Sequence, residues 1–226
     1  MNPNCLQWLA HGLANQLAQL AARGHNLQHP FPFNGCNERN VVTFIERSFT
    51  GLGYHTWREV RYQPENQECY DLLAEPQGTS PDERDAWMIE AKVLGERDDN
   101  RLTHGLFFEH NEQHEFTGAI LGDFERLSQE LRRAQKVVVW VFFSETSFVL
   151  RRGGTAPLWI GDTLDAVVHY FPNAVQQGRS LVNFRDHCND IAPAVRCYPS
   201  DFAHIFCWRI YPRIGPKPQP PAKRVK

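Results

Sequence analysis

The run KVVVWVFF at 136–143 sets seven apolar residues in a row behind one lysine. A strand turns successive side chains to opposite faces, so a run without polar alternation needs apolar cover on both sides. Such a strand belongs inside a sheet flanked by helices. The residues just before it, GDFERLSQELRRAQ at 122–135, predict one helix, with Phe124, Leu127 and Leu131 along one side.

The rest of the chain reads in the same terms. Leu6, Leu9, Leu13, Leu17 and Leu20 recur at three- and four-residue steps, which predicts a one-sided helix that Gly24 can end. A Pro-interrupted connection, HNLQHPFPFNG, leads to a second helix from Glu38 to about Leu52, closed by GLGY. Extended segments follow at 55–63, 69–75 and 86–94, separated by the turn-rich stretches PENQE and PQGTSPDERD. After the apolar run, SFVLRR at 147–152 reads as a further strand. GDTLDAVVHYF at 161–171 reads as a helix with Asp162 at or near its N-cap, and AHIFCWRIYP at 203–212 as a late strand. The order α-β-β-β-α-β, followed by mixed elements, predicts a three-layer α/β domain.

Composition narrows the class of function. The 226 residues, 42% hydrophobic and 22% charged, suit one folded, soluble domain with elaborations. With 24 basic and 26 acidic residues the chain has no global basic field. Its balance is uneven, however. The tail PRIGPKPQPPAKRVK holds five basic and no acidic residues, which leaves 19 basic against 26 acidic before it, a net of −7. Prolines at that density predict extended, solvated chain, either a solubilising tail or one that touches a nucleic acid backbone. The six cysteines show no CxxC and no close Cys/His spacing, so reduced thiols are expected. No signal-like leader and no apolar run of about 20 residues is found, so a cytoplasmic protein without a membrane span is expected.

One strand carries charges where a core strand should not. In AWMIEAKVL at 86–94, Glu90 and Lys92 point the same way among apolar neighbours. Buried charges are costly unless paired or bound to a metal. Asp71 lies in the preceding apolar strand, CYDLLAEP. If the two strands pair antiparallel, Asp71 and Glu90 approach within roughly 5 Å across the ladder. Two such carboxylates repel unless a cation separates them. Mg²⁺ fits that role, because it takes one or two carboxylates and keeps its waters. Lys92 can then orient or activate the attacking water in phosphodiester hydrolysis. The ordinary alternative is a Glu90–Lys92 salt bridge. Glu38 lies in line with the apolar stripe of its helix, Val41, Val42, Ile45, Phe49 and Leu52, either turned toward this site or only favoured by the helix dipole.

A helix glutamate, then YDLL, then MIEAKV, then an amphipathic helix and a hydrophobic strand, resembles the PD-(D/E)XK nuclease superfamily. The matching motif is Asp71 followed by Glu90-Ala91-Lys92, over about residues 36–145; Tyr70 stands where many members have proline. The resemblance implies a three-layer α/β/α restriction-endonuclease-like core with a mixed sheet. It also implies Mg²⁺, with Mn²⁺ as a substitute, at Asp71, Glu90 and Ala91. Lys92 would be the catalytic lysine and Glu38 the auxiliary acid. The organisation that follows is an N-terminal helix and linker at 1–35, the core at 36–145, a C-terminal α+β elaboration at 146–211, and a disordered tail at 212–226. The expected activity is Mg²⁺-dependent hydrolysis of DNA, of restriction, defence or repair type, in a chain able to form a homodimer. The competing expectation is a non-catalytic binding or interaction protein on the same fold.

Other residues suggest weaker roles. Arg126, Arg151 and Arg152 are candidate nucleic acid contacts, with ordinary surface as the alternative. Arg132 and Arg133 read as a solvated helix face, and Glu59 as an exposed cross-strand partner of an arginine. His110 and His114 have zinc-like spacing but no evident third ligand, so polar loop histidines are the expectation. No phosphate-loop, dinucleotide or nucleophile-elbow signature occurs.

Overall fold

The computed structural model describes residues 6–26, 38–62, 68–78, 84–95, 120–144, 158–187 and 202–212. The apolar run falls in β4 (Gln135–Ser144), which is buried from Lys136 onward. Beside it lie β3 (Trp87–Gly95), parallel, and β6 (Phe202–Ile210), antiparallel. With β1 (Tyr54–Arg61), β2 (Cys69–Pro76) and β5 (Ala174–Asn183), they form one mixed six-stranded sheet in the order β1-β2-β3-β4-β6-β5. The fold is therefore α/β, and residues 146–211 contribute two strands to the same sheet as the central run.

Helices cover both faces, as the two-sided apolar run requires. Val137, Val139, Val141 and Phe143 of β4 pack with Trp87, Ile89 and Ala91 of β3 against α1 (Gln7–Asn26) and α2 (Glu38–Thr50). Val138, Trp140 and Phe142 pack on the other side, with Met88 and Leu94, against α3 (Ile120–Gln129) and α4 (Leu158–Tyr170). Trp140 anchors this second core, edge-on to Phe124 of α3 at 5.1 Å and to Trp208 of β6 at 4.7 Å. Among the described residues no helix is long and apolar enough to cross a membrane, and Cys69 and Cys207 are free thiols.

The leucine stripe of α1 buries Leu6, Leu9, Leu13 and Leu17 against β5, β6 and α2. Contact with edge strand β5 is close enough to require glycine: a Cβ at Gly178 would stand 2.5 Å from the Leu6 carbonyl oxygen. Next to it, the Gln7 amide donates to the Arg179 carbonyl (2.6 Å) and accepts from the Arg179 N–H (3.1 Å). That side chain stands in for a missing strand and closes the middle of an edge that would otherwise invite pairing.

Several boundaries differ from expectation. Helix α1 passes Gly24 and ends at Asn26. Helix α2 stops at Thr50, leaving Leu52 57% exposed beyond it. Helix α3 stops at Gln129, and Leu131, expected on its apolar side, is 88% exposed. The Glu130 carboxylate accepts from the Arg132 N–H (3.0 Å), a local bond that competes with further helix. Helix α4 begins at Leu158, so Asp162 lies within it rather than at its N-cap. Strand β5 was not expected: its QQGRS centre shows no alternation, and a register shift against β6 between Gln176 and Gly178 breaks the period of two. The expected strand at 147–152 lies outside the described residues.

Candidate functional site

Strands β2 and β3 pair antiparallel at Leu72↔Ile89, Leu73↔Met88 and Ala74↔Trp87. One further step of that register puts Asp71 opposite Glu90, but the ladder stops before it. In place of a backbone bond, Asp71 Oδ2 accepts the Ala91 N–H at 2.7 Å. In a strand the N–H and C=O of one residue point to the same side, so the Ala91 carbonyl faces the same gap. The β1–β2 ladder also skips a step here, between Arg58↔Leu72 and Val60↔Tyr70. The residue skipped on β1 is Glu59, exposed and at φ 51°, a left-handed conformation that non-glycine residues rarely adopt. Backbone strain thus sits across from Asp71, where it costs of order 1 kcal/mol. The residue across the ladder from Glu59 is thus Asp71, where an arginine was expected, and the guanidinium of the neighbouring Arg58 pairs with Glu46.

Lys92 joins the two faces of the sheet. Its Nζ donates to Glu38 Oε2 of α2 at 3.1 Å and lies 3.8 Å from Asp123 Oδ2 of α3. Burial works against the charged amine, but Asp123 and Glu38 more than offset it, so its pKa stands above the ordinary lysine value. Asp123 and Glu38 thus favour the charged, hydrogen-bond-donating form of Lys92.

Glu90 is 2% exposed. Burial, then the Asp123 and Asp71 carboxylates, push its pKa up to about 9, against the bond it accepts from the Tyr62 hydroxyl and the Arg126 charge. Arg126 is paired with Asp123, and its Nε lies 3.7 Å from Glu90 Oε1. Expected as a nucleic acid contact, Arg126 is directed into the cluster. Arg151, Arg152, His110 and His114 lie outside the described residues.

Asp123 and Tyr62 are members of the cluster that the sequence reading missed. Asp123 is 1% exposed, and burial pushes its pKa up to about 6 despite Lys92 and Arg126. Its Oδ2 has no hydrogen-bond partner. The wheel argument used for Glu38 applies equally to Asp123, one turn before buried Leu127. Tyr62 carries no comparable signal; its position depends on how β1 ends.

Four carboxylates, of Glu38, Asp71, Glu90 and Asp123, thus face two cationic side chains, Lys92 and Arg126. The Asp123 oxygen that lacks a hydrogen bond and, after burial, the contribution of the Asp123 and Asp71 carboxylates to the raised Glu90 pKa both reflect that excess of acid. The donor set fits one hard divalent cation held by Asp71, Glu90 and the Ala91 carbonyl. Among the described residues no three acidic, His or Cys side chains are grouped so as to hold a metal ion by themselves. Comparison with family models, curated proteins and solved structures finds no match to the chain.

Proposed function

We propose that the chain is a Mg²⁺-dependent nuclease hydrolysing phosphodiester bonds of DNA on a restriction-endonuclease-like core. The observation that carries this reading is the meeting of Asp71, Glu90, Lys92 and Glu38 where the β2–β3 ladder ends. Asp71, Glu90 and the Ala91 carbonyl would hold the ion, which supplies Lewis-acid polarisation of the phosphoryl group and stabilises the leaving oxygen. Lys92, charged and 29% exposed at its side chain, donates to the attacking water and to the oxygens on which negative charge develops. Glu38 and Asp123 fix the amine from opposite faces of the sheet. Tyr62 and Arg126 fix the Glu90 carboxylate, so the site is ordered before substrate arrives.

The test is cleavage of plasmid and oligonucleotide DNA with Mg²⁺ or Mn²⁺, comparing the parent with Lys92→Ala and Asp71→Ala. Each variant is expected to lose roughly 100-fold or more, the size of effect seen when one preorganised electrostatic contact is removed. Equal activity in all three proteins rejects the site.

A second reading is a non-catalytic binding protein on the same core. It is favoured by the engagement of Lys92 with Glu38 and of Asp71 with the Ala91 N–H, so that the cluster partly satisfies itself. Absence of DNA binding at low salt, with and without metal, selects this second reading.

A further inference from the structure

Away from the acidic cluster, the chain gathers positive charge. Arg84, Arg132, Arg133, Lys136 and Arg209 line one cleft of about 440 Å³, and among the described residues no acidic one lines it. They come from three places: the turn before β3, the passage from α3 into β4, and the end of β6. Pairing of β4 with β3 and β6 brings these together, through Trp87↔Gln135 and Val137↔Arg209. Such a concentration is unexpected in residues 1–211, where acids outnumber bases.

The inner part of the cleft is fixed in place. Arg132 donates to the carbonyl of Tyr62 and, at 3.2 Å, to the Tyr70 hydroxyl, and it pairs with Glu130 at 2.8 Å. Lys136, 4% exposed, donates to the Glu130 carbonyl. The Arg209 guanidinium lies over the Tyr211 ring, 5.2 Å from its centre. Arg84 and Arg133 are exposed at the rim. Tyr211 and Pro212 complete the lining, and the next residues in sequence are the tail, with its five basic and no acidic residues. One residue links cleft and cluster: Tyr62 accepts from Arg132 through its carbonyl and donates to Glu90 through its hydroxyl.

We infer that this cleft binds the phosphodiester backbone of a nucleic acid. A fixed cationic floor with exposed arginines at its rim suits a chain of phosphates, because each neutralised phosphate releases counterions. The choice of nucleic acid among polyanions rests on the proposed nuclease reading, whereas the cleft rests on its own residues.

The test measures fluorescence anisotropy of a labelled DNA duplex with the full chain in EDTA, across about 50–200 mM salt. It compares the parent with the double variant Arg84→Gln/Arg133→Gln. The double variant is expected to lose about tenfold or more in affinity and to show a log–log salt slope shallower by about 2, at roughly 0.9 per phosphate contact. Its melting temperature, matched to the parent, separates lost contact from unfolding. Each single substitution, expected to give half the slope change, carries the test if the double variant does not fold. Unchanged affinity and slope in the rim variants overturn the inference. So does binding to phosphatidylcholine–phosphatidylserine vesicles with none to the duplex. Cleft-dependent binding without Mg²⁺-dependent cleavage leaves the cleft standing and rejects the nuclease; cleavage with no rim effect does the reverse.

Discussion

Replacing Glu90 by Gln removes an ionisable carboxyl but keeps an oxygen to accept from Tyr62, and Arg126 keeps Asp123 as partner. In the metal-free protein this change is expected to stabilise. Burial, with Asp123 and Asp71 nearby, raises the Glu90 pKa from 4.5 to about 9 on folding. A raised pKa means that the folded state binds the proton more tightly. The stability this group contributes is whole below about pH 4.5 and is lost progressively as pH climbs toward about 9. At pH 7 the loss is about 3 kcal/mol, at 1.36 kcal/mol for each pH unit above the unfolded value. Gln carries no such cost. At about 2–4 °C per kcal/mol for a chain of this length, the variant should melt about 6–12 °C above the parent at pH 7 in EDTA. Near pH 4.5 the two should coincide. Millimolar Mg²⁺ should raise the parent's melting temperature and leave the variant nearly unchanged, because only the carboxylate gains a ligand. Scanning calorimetry from about pH 5 to pH 9, with EDTA and then with Mg²⁺, reads all of this. A variant that melts at or below the parent at pH 7, or a gap that does not widen with pH, refutes the reasoning.

Two other substitutions probe how the site is supported. Gly178→Ala drives a methyl toward the Leu6 carbonyl oxygen, 2.5 Å from the ideal Cβ position. It should destabilise by about 1–3 kcal/mol as α1 is pushed off β5, read as a lower denaturation midpoint in urea. Arg132→Met removes the bonds to the Tyr62 carbonyl, the Tyr70 hydroxyl and Glu130. It should cost about 1–3 kcal/mol by the same measurement, because a buried acceptor is left without its donor. No change in midpoint for either variant contradicts the packing described here.

How much of this was legible in the sequence depended on how local each cause is. The apolar run of β4 announced its burial directly, since two covered faces leave no place for polar residues. The alternation in β3 correctly put Met88 and Leu94 on one face and Trp87, Ile89 and Ala91 on the other. The antiparallel pairing needed to bring Asp71 to Glu90 is present as well. What escaped had causes elsewhere in the fold. Edge strand β5 is polar because half of it faces water, and nothing nearby in sequence reveals its pairing with β6. The end of α3 is set by the Glu130 carboxylate capturing a backbone N–H. Tyr62 reaches Glu90 across 28 residues, and the cleft arginines meet only once three strands are aligned.

The position of the acidic cluster follows from where the sheet fails. Between Leu72↔Ile89 and Ala74↔Trp87 the β2–β3 ladder satisfies its own backbone groups and admits only apolar side chains above and below. Beyond Ile89 the pairing of these two strands ends, and the Ala91 N–H turns to a side chain, Asp71, for its acceptor. That substitution is what introduces a carboxylate beside Glu90, and it is also what leaves the Ala91 carbonyl facing the gap. Once two acids stand there, the helices on either face respond in kind: α2 sends Glu38 and α3 sends Asp123 to the one lysine that the strand carries. The result is a polar cluster at the end of the ladder, with an apolar core on each face of the sheet and more acidic than basic side chains in it. A salt bridge between Glu90 and Lys92 alone would need neither Asp123 nor the interrupted ladder. The excess of acid is the feature that the proposed cation would balance and that a single Glu90–Lys92 pair would not.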